Sequence, residues 1–292
     1  MLAALIEAIR PRQWIKNLVV FAGLIFSRHV GHAHDVGAAF VTFALFCLLS
    51  SSVYLINDVA DAEQDRRHPL KSRRPIPSGR LTVPAALGAS ALLAGLGLGL
   101  ACWVNLPLAL LALSYFALNL LYTFALKRVA ILDVLAIAIG FVLRAAAGAA
   151  AIGVEISAWL LVCTLLLALF LALSKRRHEL VLLEDEAGAH RQTLLEYSPY
   201  LLDQMISVVT ASTVVSYSLY TLSEETVRKF GSNHLMYTIP FVIFGVFRYL
   251  YLVHRRGEGG SPERIPVTDK PFIINFLAWL ATVAVVLYNG GR

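Results

Sequence analysis

Nine stretches of the chain are long and apolar enough to cross a membrane as helices: roughly residues 12–30, 36–57, 82–104, 107–125, 130–153, 157–174, 205–223, 235–253 and 271–289. A spanning helix needs about 20 consecutive, mostly apolar residues, because each residue rises only ~1.5 Å. The nine runs use most of the 292 residues and leave no segment for a separate soluble domain. Residues 1–292 are therefore expected to form a single all-α integral membrane domain of nine transmembrane helices. With 58% hydrophobic and 15% charged residues and a mean hydropathy of +0.69, the chain is too apolar for a soluble globular domain. The N-terminal "RPRQW" runs straight into the first apolar stretch, which reads as a retained helix rather than a cleaved signal peptide. Cys47, Cys102 and Cys163 all lie inside apolar runs with no Cys-x-x-Cys spacing, so neither disulfides nor structural zinc are expected.

The charges are asymmetric. If the nine crossings alternate, nineteen of the 25 Lys and Arg residues fall on one side: Arg10, Arg12, Lys16, the loop 58–80, Lys127, Arg128, and the loops 175–204 and 254–270. Four fall on the other (Arg28, Arg228, Lys229 and Arg292), while Arg144 and Arg248 lie in or near spans. A Lys/Arg excess marks the cytoplasmic face. The N-terminus is then cytoplasmic and the C-terminus outside. The net charge of +6 accordingly reads as topology and contact with anionic lipid head groups, not as a nucleic-acid surface. Pro75, Pro77 and Gly79 mark a turn before the third run, "HRRGEGGSPERIPVTDKP" reads as a loop, and a helical extension is expected to end near Ala187–Gly188. Gly- and Ala-rich runs such as "ALGASALLAGLGLGLA" and "RAAAGAAAIG" suit close helix approach.

Topology does not explain the acids. The second apolar run ends in "NDVADAEQDRRHPLKSRRPIPSGR", residues 57–80. Asp58, Asp61, Glu63 and Asp65 are followed at once by Arg66, Arg67, Lys71, Arg73, Arg74 and Arg80. Asn57, Asp61 and Asp65 are spaced i, i+4, i+8, and Asp58, Asp61 and Asp65 i, i+3, i+7, so a continued helix would project them from one face. Adjacent carboxylates ~6 Å apart repel by about 3 kcal/mol at an effective dielectric of ~20, which calls for a counter-cation. Oxygen-only ligands suit Mg²⁺ or a similar hard ion, with positions left open for substrate phosphates. The bland reading is salt bridges from the acids to Arg66, Arg67 and Arg73. Six cations beside four acids leave positive charge for an anion, and Arg and Lys are phosphate ligands. Acid for metal beside base for phosphate suggests a metal-bridged diphosphate substrate.

These residues resemble a known family. "NDVADAEQD" fits the NDxxDxxxD pattern of the UbiA-type intramembrane transferase superfamily, and the downstream "RRPIPSG" fits the same family. The chain is most similar to the decaprenyl-phosphate phosphoribosyltransferase branch in "RPRQWIKNLVVFAGLIFS", "YLINDVADAEQDRRHPLKSRRPI", "YTFALKRVAILDV", "FVLRAAAGAAAIG" and "LSKRRHEL". The resemblance implies nine transmembrane helices in a UbiA-like bundle with a cytoplasm-facing active site. It implies Mg²⁺-dependent transfer of 5-phosphoribose from phosphoribosyl diphosphate (PRPP) to a polyprenyl phosphate, releasing diphosphate. One departure is plain: prenyltransferases of the superfamily usually carry a second DxxxD, whereas here Asp133 in "DVLAI" is followed four residues on by Ile137. Asp269 is a possible contributor from the last charged loop.

On that reading Asn57, Asp61 and Asp65 hold the metal, and Asp58 has a supporting or metal role. Arg66, Lys71 and Arg74 bind substrate with Lys16, Asn17, Tyr122, Lys127, Asp133, Arg144, Lys175 and Arg176. Each has a bland alternative. Lys16 is also a snorkelling lysine beside the interfacial Trp14; Lys175 and Arg176 also complement a helix C-terminus. Arg144 sits three helical turns beyond Asp133, where burial costs ~2.5–3.5 kcal/mol, so it needs an acid partner or a substrate phosphate. "GHAHDVG", with His32, His34 and Asp35, has the look of a metal cluster, but it lies on the outward side, away from the basic face, and reads as a solvated loop, and "LSEETVRKF", also outward, as a capped surface helix. The rival functions are a prenyltransferase acting on an aromatic acceptor, which wants the second acidic motif, and a transporter, which wants polar residues at mid-depth along several spans.

Overall fold

The computed structural model describes residues 2–67, 71–183, 192–256 and 265–289. The expected end of the helical extension near Ala187–Gly188 and residues 257–264 of the loop 254–270 lie outside these residues. Every regular element among the described residues is helical, and the chain divides into two compact units, Met1–Ile156 and Ser157–Arg292.

The first unit contains α1 (Leu2–Ala8), a 3-10 helix Pro11–Val20, α2 (Phe21–Phe26), a 3-10 turn His29–Gly31, α3 (Ala33–Ala60), α4 (Ala62–Arg67), a 3-10 turn Lys71–Arg73, α5 (Val83–Val104), α6 (Leu106–Phe124) and α7 (Leu132–Ala151). The second contains α8 (Ala158–Leu183), α9 (Pro199–Leu222), α10 (Glu224–Phe230), α11 (Ile239–Arg256), the single turn α12 (Ile265–Thr268) and α13 (Lys270–Asn289). Among the described residues eight helical stretches are long and apolar enough to span a membrane. The protein is thus a multi-pass membrane protein. The first expected span, residues 12–30, is helical but broken: ten residues of 3-10 helix, then six of α-helix, then a turn. Laid end to end, the first two cover ~29 Å at ~2.0 and ~1.5 Å per residue, close to the ~30 Å hydrocarbon thickness.

Local chemistry sets the helix ends. Asn105 in extended conformation both stops α5 and caps α6, accepting from the Leu108 N–H at 2.8 Å, while its amide donates to the Ala150 carbonyl at 2.9 Å. Ser198 accepts from the Leu201 N–H with Pro199 in the first turn of α9. Ser223 caps α10, and Gly231, at φ 73°, ends it in the left-handed conformation, so "LSEETVRKF" is indeed a capped helix.

In the first unit α3 packs against α5, α6, α7 and the 3-10 segment. The core there is Val20, Leu45, Phe46, Leu49, Leu108, Ala112, Tyr115 and Ala147. Ser52 and Ser90 bind each other's hydroxyl and carbonyl groups across α3 and α5, with oxygens 2.8 Å apart. A second cluster, Ala4, Ala8, Leu55, Ala62, Ile76, Leu81 and Ala86, lies under the last turns of α3. It seats the proline loop: Pro75, Ile76 and Pro77 are buried. The three cysteines are free. In the second unit α9 packs on α8 and α11, and α11 on α13.

Small residues matter most where the broken first segment meets α7. A Cβ on Gly148 would lie 1.9 Å from the Val20 carbonyl oxygen, and one on Gly23 would lie 2.8 Å from the Ala149 nitrogen. Gly148→Ala is therefore expected to destabilise the protein by about 1–3 kcal/mol through overpacking against backbone. Gly99→Ala on α5, where no atom lies within 4 Å, should be neutral or stabilising by up to ~1 kcal/mol through helix propensity. Thermal unfolding of the detergent-solubilised variants measures both.

Candidate active site

The acidic run sits at the break between α3 and α4. Asp61 leaves helical dihedrals only slightly (φ −98°, ψ 4°). Helical hydrogen bonds continue across it, Asp61 N–H to the Asn57 carbonyl at 2.9 Å and Asp65 N–H to the Asp61 carbonyl at 2.8 Å. The i, i+4, i+8 spacing therefore survives the break, but the side chains do not form one row. Asn57 and Asp61 share the ammonium of Lys127, which donates to Asn57 Oδ1 at 3.4 Å and Asp61 Oδ1 at 2.6 Å. Asp58 and Asp65 share Arg74, whose Nη1 donates to Asp65 Oδ2 at 2.7 Å and Asp58 Oδ1 at 3.1 Å. Asp65 thus stands with Asp58, not with Asn57 and Asp61. The cause is the fold of the loop: the Lys71–Arg73 turn and the buried Pro75–Pro77 stretch bring Arg74 back over the end of α3.

Asp58 is 1% exposed and also accepts from Arg10. Arg10 is held by backbone and ring contacts. It adopts the left-handed conformation (φ 54°) just before Pro11, its guanidinium lies 5.0 Å from the Tyr54 ring centroid, and the Ile9 carbonyl accepts from Ser51 on α3. Burial pushes the Asp65 carboxyl above the ordinary aspartate range, outweighing the nearby Arg74 and Lys71, with Asp58 and Asp61 pushing the same way. Arg66 donates to the Pro77 carbonyl at 3.3 Å, and Arg80 forms a two-pronged pair with exposed Glu7. The acids are therefore paired with cations, as the bland reading had it, but with Arg10, Arg74 and Lys127 in place of Arg66, Arg67 and Arg73.

A second polar group lies within the first unit. Arg144 on α7 is 6% exposed; it donates to the Tyr115 hydroxyl at 2.6 Å and the Gly140 carbonyl at 3.2 Å. It also lies over the Tyr115 and Phe141 rings at 4.5 and 5.0 Å. Its Nε has no partner, and no carboxylate pairs with it among the described residues. Asn17 is 1% exposed and donates to Cys47 Sγ and Ser50 Oγ, both at 3.3 Å, while its Oδ1 is buried without a partner. Asp133 is fully buried in the first turn of α7, and Lys16 and Tyr122 are half-buried. Lys71 is half-buried in the loop.

Lys175, Arg176 and Asp269 belong to the second unit. Arg176, 3% exposed, donates to Glu179 at 2.5 Å; Lys175 is more open. Asp269 is paired in two-pronged fashion with Arg248 at 2.8 and 3.0 Å. Arg10, Tyr54 and Tyr115 escaped the sequence reading: Arg10 entered it only as a topology charge, and no spacing links positions 10 and 58.

The donor set fits a hard divalent cation. Every ligand atom around the break is oxygen, and in each of the pairs Asn57–Asp61 and Asp58–Asp65 the two oxygens already share one cationic nitrogen. Each carboxylate has a second oxygen beyond the one that nitrogen takes.

The profile of the UbiA prenyltransferase family matches residues 18–265. The chain is 35% identical to the decaprenyl-phosphate phosphoribosyltransferase of Mycolicibacterium smegmatis over 299 residues, covering 99% of this chain and 93% of the relative. It is 35% identical to that of Corynebacterium glutamicum over 295 residues, covering 97% and 86%. The similarity to the 4-hydroxybenzoate octaprenyltransferase of a Polaromonas species is 31% over 160 residues, 54% of this chain and 55% of the relative. Among solved structures, a UbiA homolog from Archaeoglobus fulgidus bound to GPP and Mg2+ superposes with a TM-score of 0.75 at 20% identity, covering 97% of this chain and 99% of that one.

The two kinds of acid should separate on substitution. Asp58→Asn leaves two partly buried guanidinium groups facing a neutral amide and is expected to cost about 3 kcal/mol or more. Asp61, with its side chain 25% exposed, should tolerate Asn within about 1 kcal/mol. Unfolding midpoints of the two variants in the same detergent are the measurement.

Proposed function

The chain belongs to the UbiA prenyltransferase family, and from that footing we propose that it transfers 5-phosphoribose from PRPP to a decaprenyl-type polyprenyl phosphate, using Mg²⁺. The observation that carries this reading over prenyl transfer is the extent of the similarity. The phosphoribosyltransferase relatives match 97–99% of the chain, the prenyl-transferring octaprenyltransferase little more than half. Ile137, where a second DxxxD would place an acid, supports the same choice.

In the proposed reaction residues 1–292 act as one transferase domain. Asn57 and Asp61 would hold the metal together with Asp65 of the neighbouring pair, and Asp58 anchors Arg10 and Arg74. Bound Mg²⁺ would supply neutralisation of the charge that develops on the departing diphosphate. Lys127 and Arg74 lie on oxygens of these acids, and their N–H groups would serve as donors to diphosphate oxygens. Arg66 and Lys71 add positive charge from the loop. The ribose C1–O bond loosens with oxocarbenium character, and an oxygen of the polyprenyl phosphate attacks from the opposite face. That oxygen is already anionic, so the chain supplies no general base. Arg144, buried with an unused Nε, is the best-built anion site in the first unit and serves a phosphate of donor or acceptor. Lys16, Asn17, Tyr122 and Asp133 complete the substrate contacts of the first unit, and Lys175 and Arg176 are assigned to substrate by the family resemblance alone. The Lys/Arg asymmetry supports placing this site at the cytoplasmic face, with the N-terminus inside and the C-terminus outside.

Membranes carrying the wild-type chain, given labelled PRPP, Mg²⁺ and polyprenyl phosphate, should form a labelled lipid. Asp61→Asn should reduce this at least ~100-fold while the protein stays folded. Normal transfer by that variant would remove the metal-site assignment. Consumption of labelled prenyl diphosphate with no label taken from PRPP would establish the prenyl-transfer reading instead.

A further inference from the structure

The sequence "HVGHAHD", residues 29–35, plays no part in the proposed reaction, yet three of its side chains converge. His29 Nδ1 lies 2.6 Å from Asp35 Oδ2, and His32 Nδ1 lies 3.4 Å from the same oxygen. The two imidazole rings stand 4.9 Å apart and nearly perpendicular, and both Nδ1 atoms face Asp35 Oδ2. One ligand atom from each of the three residues lies within 4.8 Å of the other two. We propose that His29, His32 and Asp35 form a binding site for a borderline divalent transition-metal ion, zinc being the type, that clips the turn leading into α3.

The geometry suits such an ion. Around zinc, ligands at ~2.0–2.1 Å stand about 3.4 Å apart in a tetrahedron. The His32–Asp35 edge already has this length, and the His29–Asp35 edge needs to open by less than ~1 Å. The turn is held in place by its backbone. The His32 N–H donates to the His29 carbonyl at 2.9 Å and the Val36 N–H to the His32 carbonyl at 3.0 Å. Arg28 takes the left-handed conformation at φ 64° and reverses the chain immediately before His29. Asp35 is only 15% exposed in its side chain, whereas His34 is 91% exposed and bound to the other carboxylate oxygen at 3.1 Å. His34 thus stays outside, and the fourth position belongs to water. Two imidazoles and one carboxylate favour zinc, nickel or copper over Mg²⁺, which prefers oxygen alone. The positive end of the α3 dipole opposes a cation here, and Asp35 in the first turn offsets it. This site and the Asn57–Asp65 cluster occupy opposite ends of α3. The 23 residues between Asp35 and Asp58 span about 35 Å of helix, so neither ion reaches the other's ligands.

Purified protein without a polyhistidine tag, kept in excess Mg²⁺, is titrated with zinc against a chromophoric chelator. One zinc per chain should bind at micromolar concentration or below. Asp35→Asn and the double variant His29→Gln/His32→Gln should weaken binding at least ~10-fold, and His34→Gln should stay within about threefold of wild type. Zinc should raise the unfolding midpoint of wild type but not of Asp35→Asn. Retained polyprenyl-lipid labelling in Mg²⁺ shows that the variants are folded. Equal zinc binding by wild type and Asp35→Asn, or no binding at micromolar zinc, would overturn the site.

Discussion

The carboxylate of Asp58, 1% exposed and shared by Arg10 and Arg74, ties together three parts of the first unit that are remote in sequence. Arg10 comes from the N-terminal link, Asp58 from the end of α3, and Arg74 from the proline loop. An aspartate buried at the end of a membrane helix is tolerable only when paired, and both of its partners come from links between helical elements rather than from within a helix. The pairing thus orders those segments as much as they neutralise it. The apolar cluster of Leu55, Ala62, Ile76 and Leu81 beneath provides the burial that makes the pairing obligatory.

Much of the helical layout was legible because long apolar runs have few alternatives. The second to fifth expected spans correspond closely to α3, α5, α6 and α7. The first did not read correctly as a continuous helix. Pro11 opens it in 3-10 form, and its approach to α7 at Gly148 and Gly23 is a tertiary contact that no periodicity in the segment announces. The acids were legible as a charged cluster at the membrane edge. Their partners were not, since Arg74 reaches Asp58 and Asp65 through a loop fold, Arg10 is itself the left-handed residue before Pro11, and Lys127 comes from the 3-10 turn Leu126–Arg128 that follows α6. Sequence spacing reports neighbours on one helix, whereas these pairs are made between elements. The same limit applied to His29, which lies outside the "GHAHDVG" stretch and joins Asp35 only because the chain reverses at Arg28.

Arg144 and the acid cluster represent two solutions to charge inside a helical bundle. The acids are neutralised by cations one for one. Arg144 has only a phenol, a carbonyl and two ring faces. Cation–π contacts contribute up to ~2 kcal/mol when desolvated, short of the cost of an uncompensated buried charge. A guanidinium left in that state is poised for an anion, and on the proposed reaction, which expels diphosphate, the shortfall has a functional meaning that a structural ion pair would lack.

Buried ion pairs contribute little net stability, because desolvation takes back most of the Coulomb gain. The pairing of Asp61 with Lys127 and of Asp65 with Arg74 is therefore poorly explained as scaffolding, whereas Asp58 with Arg10 and Arg74 orders the segments around it. It is better explained as a balanced resting state. Three negative and three positive groups hold one another in a geometry that suits both halves of a metal-bound diphosphate. On the proposed reaction a divalent ion would replace the cations on the acids, and the donors so freed would be available to phosphate oxygens. Binding would then exchange one set of charge-assisted hydrogen bonds for another of similar strength, and either half of the ligand alone would leave uncompensated charge.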